Sequence, residues 1–114
     1  MNYLPWTEGG VVVAERELGG YRAVLLTEPE SPGGITYAHV LLVTAAGSDA
    51  PVLAVASEVM ATPGPGSHVL GLFPGDGHVN LGASDEWADL KAFDAEAHRV
   101  ATGHLGLMGT WVDV

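Results

Sequence analysis

Ile35-Thr36-Tyr37-Ala38-His39-Val40-Leu41-Leu42-Val43-Thr44-Ala45-Ala46 is the stretch that decides the fold. It is rich in β-branched and large apolar residues and holds no glycine, proline or formal charge, which marks a long strand. Successive side chains of a strand point to opposite faces. One face receives Ile35, Tyr37, Leu41 and Val43, and the other Ala38, Val40 and Leu42. A half-solvated antiparallel strand alternates apolar with polar. This one is apolar on both sides toward its middle. The next candidate strand, Val52 to Met60, behaves alike, with Leu53 and Val55 on one face and Val52, Ala54 and Ala56 on the other.

Working outward, the turns come from glycine and proline. Gly19-Gly20 separates Val11–Leu18 from Tyr21–Thr27, and two glycines between strand-like runs predict a tight hairpin with positive φ. That register sets Leu18 opposite Tyr21 and Glu17 opposite Arg22. Glu28 to Gly34 and Ala61 to Ser67 read as loops, and Gly47-Ser48-Asp49 as a turn. Pro74-Gly75-Asp76-Gly77 predicts a second hairpin between Val69–Phe73 and His78–Leu81.

One helix follows, over about residues 85–102. Ser84 has the chemistry of an N-cap, and Asp85 and Glu86 oppose the helix dipole in the first turn. At 100° per residue Leu90, Phe93, Ala97, Val100 and Ala101 form an apolar stripe, and Gly103 is the expected stop. The alternation from Thr110 to Val114 suggests a tail or a short edge strand. Short connections join antiparallel neighbours, so the expected architecture is α+β. It is an antiparallel meander of five to six strands with the C-terminal helix packed on one face. The 114 residues are expected to form a single domain, 1–114.

A single helix covers one sheet face, which leaves the second apolar face to be accounted for. Three outcomes follow: two copies pair face to face as a homodimer, the sheet curls around its own side chains, or neither occurs. Between Ser31 and Gly75 the only charges are Asp49 and Glu58, so charge does not protect that face.

Composition bounds the function. Charged residues are 16% of the chain, against about 25% in ordinary soluble domains. The formal net charge is −10, with only Arg16, Arg22, Lys91 and Arg99 as basic residues. No basic stripe exists, so nucleic acid and anionic membrane surfaces are not expected partners. The acidic surface favours solubility and steers a basic partner. There is no cysteine, which removes disulfides, thiolate nucleophiles and cysteine metal sites. The N-terminal Met1-Asn2-Tyr3-Leu4-Pro5-Trp6 has no signal-peptide pattern, so a cytoplasmic location is expected.

No catalytic motif is present, no cofactor is implied, and the histidines show neither H-E-x-x-H nor H-x-H spacing. His98 lies four residues after Asp94, so the two can meet on one helix face. His39 sits in an apolar strand and reads as a satisfied structural histidine, as does His104 beyond the expected helix stop. Nothing distinguishes His68. The best polar cluster is Asp76, His78 and Asn80. The hairpin register sets Phe73 opposite His78, Gly71 opposite Asn80, Leu72 opposite Val79 and Leu70 opposite Leu81, so His78 and Asn80 project together over a glycine floor beside an aromatic ring. This candidate ligand-binding corner competes with an ordinary turn flanked by wet strand residues. Two functional readings stand. The first is a small acidic, non-enzymatic interaction module that homodimerises and engages a protein partner. The alternative is a small enzyme or metal- or ligand-binding protein centred on Asp76, His78 and Asn80.

Overall fold

The computed structural model describes residues 10–28, 36–48, 51–59, 68–74 and 77–114. The expected loops at 29–34 and 61–67, Asp49 of the expected turn, Ile35, Met60, Gly75, Asp76 and residues 1–9 lie outside that set. Strands β1 (Val11–Leu18), β2 (Tyr21–Thr27), β3 (Thr36–Ala45), β4 (Pro51–Val59), β5 (His68–Phe73) and β6 (Val79–Ala83) form an antiparallel meander. A 3-10 turn (Asp85–Ala88) and helix α1 (Leu90–Leu105) follow, and β7 (Val112–Asp113) returns to pair with β1. The α+β reading holds, with seven strands in the order β6-β5-β4-β3-β2-β1-β7.

The first hairpin has the predicted register. Gly19 and Gly20 take φ of 57° and 84°, which only a type I′ turn requires at both central positions. Glu17 faces Arg22 and accepts a 3.0 Å hydrogen bond from it. The second hairpin keeps Gly71 opposite Asn80 and Leu72 opposite Val79, but Leu70 pairs with Gly82 instead of Leu81. An extra residue in β6 causes the shift, and Gly82 absorbs it at φ 116°, a conformation open to glycine.

The helix also departs from expectation. Ser84 caps only the 3-10 turn, accepting from the Glu86 N–H, while Asp89 caps α1 by accepting from the Ala92 N–H at 2.9 Å. The chain breaks there because Asp89 is extended (φ −80°, ψ 123°). At the other end α1 passes through Gly103 and stops at Gly106, which holds φ 66°. His104 therefore lies in the last helical turn. Phe93, Ala97 and Ala101 are buried as the stripe predicts, with Leu90 and Val100 partly buried beside them.

Both helical pieces lie on one sheet face. Their core partners are Ala23, Leu25, Leu41, Val43, Leu53, Val55, Leu70 and Leu72. On the helix-free face Tyr37, Val40, Ala54, Ala56 and Phe73 form a separate buried cluster, with Leu42 partly exposed at its margin. Tyr37 was expected on the face of Leu41. A bulge at Ala38, between the pairs Tyr37–Glu58 and His39–Ser57, turns it to the other side.

Candidate functional site

The helix-free face is neither bare nor flat at its centre. Val40 and Ala54 are 0% exposed and Ala56 1%. Register explains part of this: Ala54 stands opposite Phe73, and Ala56 opposite Gly71, so small side chains make a trough between larger ones. A row of rings runs along it. Tyr37 meets Phe73 edge-on with centroids 6.4 Å apart, and Phe73 stacks on His78 at 4.6 Å and 11°. The His78 ring lies directly above Gly71, whose hypothetical Cβ would fall 2.7 Å from Nε2.

His78 and Asn80, the two described members of the predicted corner, thus have different tasks. The exposed His78 imidazole roofs Gly71. The Asn80 side-chain oxygen accepts a 2.8 Å hydrogen bond from the Gly82 N–H, closing the bulge locally. Asp76 lies outside the described residues. Among the described residues no group of three or more histidines and carboxylates is placed to hold a metal ion.

His39 is buried on the helix face. Its Nε2 donates to the Ala88 carbonyl at 2.9 Å, and its Nδ1 lies 2.9 Å from the Thr27 hydroxyl. A carbonyl accepts only, which fixes the proton on Nε2. The ring also packs 5.4 Å from Phe93. It is the structural histidine expected.

A polar network missed by sequence reasoning joins β1, α1 and β7. Arg16 donates to Asp94 at 2.7 Å and to Asp113 at 3.1 Å, and its Nη1 lies 3.3 Å from His98 Nε2. His98 Nδ1 donates to the Asp94 carbonyl at 2.8 Å, and the Trp111 indole donates to Thr102 at 2.9 Å. The Asp94 hydrogen bond leads in holding the Arg16 guanidinium above its ordinary pKa, against the opposing effect of burial. Nearby, hydrogen bonding from Arg99 draws the Glu96 carboxyl below its ordinary value. A groove of about 640 Å³ runs beside the network. The Asp94–His98 spacing was legible, but Arg16 enters only through the return of β7 beside β1. Every polar group named here bonds another part of the chain, so the network works as a clamp.

A larger hollow, about 860 Å³, lies at the β1–β2 hairpin end of the helix-free face. Glu15, Glu17, Arg22, Val24, Thr44 and Val112 line it. No helix of the described residues is long and apolar enough to cross a membrane. No protein-family model matches the chain, and neither a curated protein nor a solved structure shows significant similarity to it.

Proposed function

We propose that this chain is a small, acidic, non-enzymatic interaction module of the cytoplasm that homodimerises through its helix-free sheet face and engages a protein partner. One observation carries the reading: that face has its own apolar cluster, Tyr37, Val40, Ala54, Ala56 and Phe73, while both helical pieces pack on the opposite face. Leu42 on β3 stays partly exposed beside it. The cluster itself is buried within the single chain, and isologous pairing across a two-fold axis removes the remaining exposed part of Leu42 from water. The cysteine-free composition suits a reducing compartment.

The alternative, a ligand or metal site at Asp76, His78 and Asn80, rests on the ring stack alone. His78 is committed to Phe73 and Gly71, and Asn80 to the Gly82 N–H. The geometry favours the interaction module. Light scattering of the full chain at micromolar concentration tests it: a mass of twice 11.8 kDa is expected, and a monomer mass throughout sinks the dimer.

A further inference from the structure

The hollow at the hairpin end combines a wall of two glutamates and one arginine, Glu15, Glu17 and Arg22, with an apolar floor. Glu15 pairs across the strands with Val24, and Glu17 with Val112 on its other side. All four therefore lie on the helix-free face, alternating with Arg16 and Ala23 on the helix face. Among the described residues the Glu15 carboxylate makes no ion pair. Glu17 holds only Arg22, in a pair whose side chains are 45% and 58% exposed, and such a pair is weak and replaceable. Val112 is 65% exposed. The other paired arginines, Arg16 and Arg99, are tied to Asp94, Asp113 and Glu96.

We infer that this hollow seats a basic, amphipathic peptide segment of a partner protein, with Lys or Arg against Glu15 and Glu17 and an apolar side chain against Val24 and Val112. Charge complementarity selects the occupant. A chain of net charge −10 raises the local concentration of cationic ligands and repels anionic ones. A second copy brings the same −10 and sets Glu15 and Glu17 against their own kind, so the dimer seam stops short of the hollow. A volume of about 860 Å³ is that of a small-ligand cleft, roughly 300–1,000 Å³, and has room for a few side chains of a peptide. The inference rests on the reading of the chain as an interaction module and names its partner's chemistry.

The test uses the full chain and a fluorescein-labelled peptide of alternating Lys and Leu, followed by anisotropy at physiological salt. The same peptide with Glu in place of Lys is the control. The Lys peptide is expected to bind and the Glu peptide not. The Glu15→Gln/Glu17→Gln protein should bind tenfold or more weakly. A Glu28→Gln/Glu86→Gln protein loses the same charge at two exposed positions outside the hollow, and should change less than twofold. Equal weakening in the two double variants would mean diffuse attraction and overturn the inference, as would no binding of the Lys peptide. A changed mass of the Glu15→Gln/Glu17→Gln protein in light scattering would place a second copy in the hollow and also overturn it. A wild-type monomer that binds the peptide with this selectivity upholds the inference while sinking the dimer.

Discussion

His39 and Ser57 stand opposite one another on β3 and β4 and donate to successive carbonyls of the 3-10 turn, Ala88 at 2.9 Å and Trp87 at 2.8 Å. Among the described residues they are the two buried polar side chains in an otherwise apolar set. The break at Asp89 interrupts the helical hydrogen-bond ladder just after these carbonyls, and the sheet supplies the missing donors.

Removing either donor breaks a partly buried hydrogen bond, at a cost of about 0.5–1.5 kcal/mol. Ser57→Ala is the cleaner variant, since His39 also packs on Phe93. Both donors hold one short turn, so once the first bond is lost the second has less to hold. The Ser57→Ala/His39→Ala double variant should lose less stability than the sum of the singles, measured by urea unfolding. Strict additivity would show that the two bonds act independently.

How much of this was legible follows from range. The Gly19-Gly20 hairpin and the apolar stripe of α1 depend on neighbours in sequence, and both came out as read. Bulges are chosen by strand twist and by side chains across the sheet, so Ala38 gave no sign that it would turn Tyr37 over. The Arg16–Asp113 contact spans 97 residues and follows from where β7 lands. The predicted His78 corner was right about its glycine floor and ring. The register alone could not show that the imidazole sits directly over that glycine.

The two caps can be ranked. Asp89 caps a helix of 16 residues, whereas Ser84 caps a four-residue 3-10 turn. Asp89→Ala should cost about 0.5–2 kcal/mol, and Ser84→Ala less than that. Denaturant midpoints of the two variants decide. A larger loss at Ser84 would move the true start of the helix back to the position expected from sequence.

Gly71→Ala tests the ring row. The new methyl meets His78 Nε2 at 2.7 Å and Phe73 Cε2 at 3.3 Å. The exposed imidazole can swing away, so the expected loss is that of a stacked pair, about 0.5–1.5 kcal/mol. The His78 ring protons, shielded by Phe73 in the wild type, should move downfield in the NMR spectrum. Unchanged shifts would mean the ring does not rest on Gly71.

Tyr37 makes the alkaline limb of stability testable. Burial, and next the charge of Glu58, raise its pKa above the ordinary 10.0. The folded phenol therefore keeps its proton at pH values where the unfolded chain has released it. The resulting contribution is whole below pH 10 and declines as the pH rises through 10 toward the raised folded value. Tyr37→Phe removes the titrating group. Urea midpoints at pH 8, 10 and 11 should fall more steeply for the wild type than for the variant, and parallel curves would contradict this placement.

Adjacent leucines on β3 separate the two sheet faces. Leu41 is fully buried against α1's core, and Leu42 is partly exposed at the edge of the helix-free cluster. A glutamate at 41 puts an unpaired carboxylate into the apolar layer that holds Phe93, and no neighbouring cation in that layer offsets its desolvation. Leu41→Glu should therefore fail to fold cooperatively, as read by circular dichroism. A glutamate at 42 keeps access to water in the monomer, so Leu42→Glu should retain the wild-type spectrum. In a two-fold dimer it would face a like charge or an apolar surface of the partner, and either opposes association. The Leu42→Glu mass in light scattering should then fall to that of one chain. A folded Leu42→Glu protein with the dimer mass of the wild type would remove this face from the interface.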